Sequence, residues 1–181
     1  VLAVRKAPTL SVPLTVLVLA MCALSQVKPT WKIFANRAGW SIRYPADWSI
    51  SSCRSCEDPT APDVFVDFIP PTKQDSGGWV MVEHLASKPS GTSVDAWFAD
   101  VSKTANLNPR LSEERMNLDG LPALKVRYRT ATSDDTESVY VVSGSETFEI
   151  SFNSRKPGVP LEKSGNYAIY SKMLETFRVK R

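Results

Sequence analysis

Two cysteines three residues apart, in Cys53-Arg54-Ser55-Cys56, carry the most reactive side-chain chemistry in the sequence. At this spacing a pair closes a disulfide in an exported protein, exchanges electrons in a thioredoxin-like enzyme, or supplies half of a zinc site. The residues that follow bear on the choice. Glu57, Asp58, Pro59 and Pro62 read as a loop with two carboxylates beside the sulfurs, whereas a redox pair uses a helix N-terminus to stabilise its thiolate. Zinc would need two further ligands in a chain with a single histidine. Covalent haem attachment would need a histidine where Glu57 stands. The expected state is a structural disulfide between Cys53 and Cys56, worth about 2 kcal/mol for so small a loop. A small thiol–disulfide oxidoreductase using the same two residues is the alternative.

The remaining chemistry-bearing residues have plainer readings. His84 sits mid-strand between Val82 and Ala86; a histidine on an inward strand face is expected to be a satisfied packing residue. A Ser–His–Asp triad would have to use it, yet no glycine-flanked serine elbow marks a nucleophile. Glu113-Glu114 and Asp134-Asp135 pair carboxylates, but the second lies in a polar hairpin connection, Ala131 to Thr136, where aspartate is favoured by its own turn chemistry. The regular ligand spacing of a calcium loop is absent there. Lys125, Arg127 and Arg129 form a basic stripe on one strand face. It can bind an acidic partner or pair across strands with residues such as Glu149. No catalytic residue, cofactor site or metal site is therefore expected.

The elements that would hold these residues follow from periodicity. Trp40, Ile42 and Tyr44 alternate with Ser41 and Arg43, the period of a half-buried strand. Gly39 suggests a turn from an earlier strand at Lys32–Ala35, and Trp48–Ser51 can resume the second strand after Pro45. Val64, Val66 and Phe68 alternate in the next candidate, and Gly77-Gly78 opens another at Trp79–Ala86. A helix is predicted over Val94–Ala105, with Ser93 as N-cap and an apolar stripe through Trp97, Phe98 and Val101. Strands are predicted at Arg110–Asn117, Ala123–Thr130, Ser138–Val142 and Thr147–Asn153, and a last helix from about Lys163 to Arg178. Strands in series on short turns imply an antiparallel sheet. One face is expected to be apolar and packed on helices, the other polar over part of its area. The class is α+β. Five tryptophans in 181 residues signal dense packing or an aromatic surface kept for a partner.

The N-terminus gives an address. Arg5 and Lys6 precede an apolar stretch from Leu14 to Leu24, and Ala23 and Ser25 are small residues at the −3 and −1 positions of a cleavage before Gln26. These are the parts of a secretory signal. About 11 apolar residues fall short of the roughly 20 that span a bilayer as a helix. The expected organisation is a signal peptide at 1–25 and a single domain at 26–181. An uncleaved signal, or lipidation of Cys22 in Leu19-Ala20-Met21-Cys22, would tether the same domain to a membrane. Two of the 22 basic residues lie in the signal and none of the 19 acidic ones. The domain is thus close to neutral, which argues against nucleic acid as a partner.

Phe34-Ala35-Asn36-Arg37-Ala38-Gly39-Trp40-Ser41-Ile42-Arg43-Tyr44-Pro45-Ala46-Asp47-Trp48 resembles the opening of PsbP-like domains: an aromatic, a small residue, then a strand ending in Tyr-Pro with a Trp three residues on. Gly120-Leu121-Pro122-Ala123 before a strand ending at Tyr128, the Phe148–Phe152 strand, and Met173-Leu174-Glu175-Thr176-Phe177 in a closing helix are similar as well. The resemblance implies an α/β/α sandwich on a central antiparallel sheet. It further implies a place among extrinsic proteins of photosystem II, assembly factors, a Ran-binding branch and bacterial exported proteins, which bind or help assemble larger complexes and are not generally enzymes. The stretch from Gln26 to Trp31 offers no counterpart of the photosystem members' membrane-proximal segment, and Cys53/Cys56 is not a feature of the family. The expected function is that of a non-catalytic extracytoplasmic binding or complex-assembly accessory protein. Its expected partner is another protein or an envelope complex.

Overall fold

Each alternating segment of the sequence forms a strand, because burying every second side chain leaves the backbone free to pair sideways. The computed structural model describes residues 30–36, 38–52, 64–71, 77–85, 88–104, 109–130 and 135–180. In chain order the elements are β1 (Trp31–Ala35), β2 (Trp40–Pro45), β3 (Ser49–Ser52), β4 (Val64–Ile69), β5 (Trp79–Leu85), α1 (Val94–Thr104), β6 (Arg110–Leu118), β7 (Leu121–Arg129), β8 (Asp135–Ser143), β9 (Glu146–Asn153), a 3-10 turn at Leu161–Lys163, α2 (Tyr167–Glu175) and β10 (Arg178–Val179). None of the described helices is long and apolar enough to cross a membrane.

Two sheets result. The larger has seven strands in the order β3-β4-β5-β9-β8-β7-β6, and the smaller is β1-β2-β10. Every pairing is antiparallel. The strand after Pro45 does not resume β2: the chain leaves the small sheet there, and β3 joins the large one beside β4. The small sheet packs on the large one. Trp40, Ile42 and Tyr44 of β2 share a core with Phe68, Val80, Val82, Val139, Phe148, Ile150 and Phe152 of the large sheet and with Tyr170, Met173 and Phe177. Ring contacts such as Trp40–Phe34 at 5.2 Å and Phe148–Phe177 at 5.7 Å run through it, so Trp40, Trp48 and Trp97 serve packing.

The opposite face of the large sheet carries α1. Val94, Trp97 and Phe98 bury against Leu124, Val126 and Tyr140, and Ser93 Oγ accepts the Ala96 amide at 3.1 Å as the expected cap. The expectation of one apolar face needs correction. Register places Leu124 opposite Tyr140 and Tyr140 opposite Glu149. Leu124 and Val126 therefore face α1, while Phe148, Ile150 and Phe152 face α2 and the small sheet. Both faces are apolar, in different halves. The architecture is accordingly richer in sheet than a helix-flanked sandwich, since one covering layer is partly sheet itself.

Two turns show why the strands end where they do. Asp119 (φ 54°) and Gly120 (φ 78°) make the two-residue link between β6 and β7, the Asp-Gly form that right-twisted hairpins favour. Gly78 (φ 87°) lies so close to β9 that a Cβ would come 2.5 Å from the Asn153 carbonyl oxygen. The closing helix is shorter than its periodicity suggests. Ser164 Oγ donates to the Gly77 carbonyl, and Asn166 Nδ2 donates to that of Gly78 at 2.9 Å; helix begins only after them. Past Thr176 the chain straightens, and Arg178–Val179 pairs with Ser41 and Trp40.

Candidate functional site

The basic stripe on β7 is closed upon itself. Lys125 Nζ lies 2.5 Å from Glu114 Oε2 on β6, and Arg129 Nε lies 2.8 Å from Asp135 Oδ1 on β8. Arg127 lies between them at the centre of a network. Its Nε donates to Glu137 at 2.6 Å, one amino group donates to Tyr167 Oη at 2.7 Å, and the other meets Glu162. Tyr167 in turn donates to Glu137 at 2.9 Å. Burial alone would pull the Arg127 guanidinium down, but its bonds to Glu137 and Glu162 outweigh that and hold it above its ordinary value. Glu137 is buried and polar, a state that a fully bonded cation beside it makes affordable. The ion-pairing reading of the stripe therefore holds, with one correction. Glu149 is not the partner, because it lies on the other face of the sheet.

Glu149 is instead the centre of a second cluster, one that strand alternation alone did not flag. It projects from β9 toward the α1 side, directly opposite Glu83 of β5 in the register. Ser138 Oγ donates to its Oε1 at 2.6 Å, and Tyr140 Oη reaches the same oxygen at 3.4 Å. Tyr128 Oη lies 3.4 Å from Ser138 Oγ. Burial raises the Glu149 carboxyl and the Glu83 charge adds to the rise; against the Ser138 and Tyr140 bonds, it titrates at about 7. Burial and the charge on Glu149 together push Tyr128 up to about 12, and Tyr140 further. Asp67 of β4 faces the same side, its carboxyl raised by burial and partly restored by a hydrogen bond from Trp79. Nothing in the sequence marked this cluster, because Glu83 and Glu149 come opposite each other only through the β5–β9 register.

His84 takes the other face. Its ring stacks on Phe148 at 5.0 Å, and its Nε2 lies 2.5 Å from Glu146 Oε2. That agrees with a satisfied packing residue at a strand end. Glu113 pairs with Arg110 at 2.9 Å, which accounts for the Glu113-Glu114 doublet together with Lys125. Asp135 belongs to β8 and not to the turn before it. Cys22, Cys53, Cys56 and Asp134 lie outside the described residues. No three His, Cys, Asp or Glu side chains among the described residues group as a metal site. A cleft of about 390 Å3 lies between the β6–β7 turn and the end of α2, lined by Met116, Leu118, Asp119, Leu174 and Arg178 among others.

By sequence, no family model and no curated protein matches the chain. By structure, the solution structure of cyanobacterial PsbP (CyanoP) from Synechocystis sp. PCC 6803 aligns over 89% of this chain and 98% of that one, with a TM-score of 0.58 and 14% identity. The fold is PsbP-like. A crystal structure from Bacteroides thetaiotaomicron aligns at a TM-score of 0.54 and 13% identity over 83% of this chain and 48% of that one, so this chain spans about half of that protein. The PsbP-like assignment rests on the CyanoP alignment over most of both chains.

Proposed function

We propose that the protein is a non-catalytic, extracytoplasmic binding or complex-assembly accessory protein. The observation that carries this reading is the alignment of nearly all of CyanoP with nearly all of this chain. The signal-like N-terminus supports the location, and the accessory roles associated with the PsbP-like fold support the function. Among the described residues, Arg127, Lys125 and His84 each pair with a carboxylate of the same chain. The partner is expected to be a protein of an envelope complex. The test is native electrophoresis of an envelope fraction holding the tagged protein. Comigration with a larger assembly is the expected result; migration alone, joined to turnover on a substrate panel, would refute the reading.

A further inference from the structure

The two edges of the large sheet are unequal. β3 is four residues long, whereas β6 is nine, and Arg110 through Arg115 together with Asn117 are exposed. Among the described residues no strand lies beyond β6. An exposed edge of this length is a template for another strand unless something blocks it, and its charge pattern indicates which strand fits. A β-bulge between Arg110 and Ser112 leaves Ser112–Leu118 as the regular stretch. Consider two copies of that stretch antiparallel about a two-fold axis at Glu114. Glu113 of each copy then stands opposite Arg115 of the other, twice, with Ser112 opposite Met116. Within one chain the same two side chains meet Arg110 at 2.9 Å and Asp95 at 2.7 Å in exposed pairs, weak contacts that leave each able to bridge to the second copy. The two Glu114 side chains meet at the axis, but each is already held by its own Lys125 at 2.5 Å.

Neighbouring registers lack this match. Faces must be kept, so the axis moves two residues in pairing at a time. Centring on Glu113 sets Glu113 against itself and Arg115 against Leu111. Centring on Arg115 sets Arg115 against itself. A pairing of Arg110 with Glu114 fails because the bulge puts them on different faces: Arg110 lies over the Phe98 ring of α1 at 5.0 Å, while Glu114 faces with Lys125 across the sheet.

We infer that β6 is the self-association surface of this chain, pairing with β6 of a second copy about Glu114 so that one sheet runs through both. The contact is small, and its affinity is correspondingly low and salt-sensitive. It is independent of the accessory role proposed above. The test is sedimentation equilibrium of the purified protein at low salt from about 10 µM to about 1 mM, a range suited to so limited an interface. Wild type is expected to dimerise, and to do so less as salt rises. Glu113→Arg and Arg115→Glu each turn two attractions into two repulsions, and each alone is expected to weaken the dimer about ten-fold or more. Mixing the two variants restores both pairs across the axis, so the mixture should form a heterodimer at wild-type concentrations. Both substitutions sit on an exposed strand, and unchanged circular dichroism verifies that they fold. A monomer throughout the wild-type series would overturn the inference. So would a dimer indifferent to both variants, or a mixture no tighter than its components.

Discussion

Glu149 makes stability depend on pH in a direction opposite to that of most paired carboxylates. In the folded chain its carboxyl titrates at about 7, against 4.5 for an unburdened glutamate. The folded state therefore prefers the proton more strongly than the unfolded chain does. The sign follows: the stabilisation is complete below about pH 4.5, declines through the interval up to about 7, and is gone once both states are ionised. A shift of this size at about 1.4 kcal/mol per unit corresponds to about 3 kcal/mol. The perturbation is Glu149→Gln, which keeps an oxygen for Ser138 and has no proton to lose. Urea unfolding of wild type and variant, followed by tryptophan fluorescence at a series of pH values from 4 to 9, isolates the effect, because all other titrations are shared. The variant should gain about 3 kcal/mol relative to wild type between the acid and alkaline ends. Glu83→Gln, which removes the facing charge, should shift the wild-type transition toward lower pH. Parallel curves for wild type and Glu149→Gln would refute the reasoning, for they would mean that the carboxyl is as well solvated when folded as when unfolded.

Other expectations rest on separate features. Arg127→Ala leaves Glu137 buried without its cation and should cost about 3 kcal/mol in chemical denaturation, while Glu162→Ala, on an exposed partner, should cost well under about 1 kcal/mol. Gly78→Ala meets both a strained φ and the Asn153 carbonyl oxygen; a loss of about 2 kcal/mol or more in urea unfolding is expected. Cys53→Ser or Cys56→Ser should lower the melting temperature and leave insulin reduction at its background level, whereas loss of a measurable reductase activity would support the redox alternative.

Much of the fold was legible from alternation, and the failures share a cause. The bounds of β4, β6 and β9 lie within a residue of their periodic patterns, because a period of two is a local property. Which face each strand presents is not local. Leu124 and Phe148 look alike in sequence, yet they lie on opposite faces because the β7–β8–β9 register sets their phase. The same blindness assigned Glu149 to the basic stripe. The end of the last helix was misread for another reason: Phe177 continues the apolar stripe, but it reaches the core from a straightening chain whose next two residues pair with β2. A two-residue strand carries no periodicity to read.

The central claim is that this PsbP-like chain works by binding and not by turnover. Native electrophoresis of envelope fractions should be run side by side for the wild-type protein and for a variant with both Cys53→Ser and Cys56→Ser. The account predicts that both migrate with the same larger assembly, the variant at reduced thermal stability. Wild type migrating free of any assembly, with thiol–disulfide turnover that the double variant lacks, would contradict it.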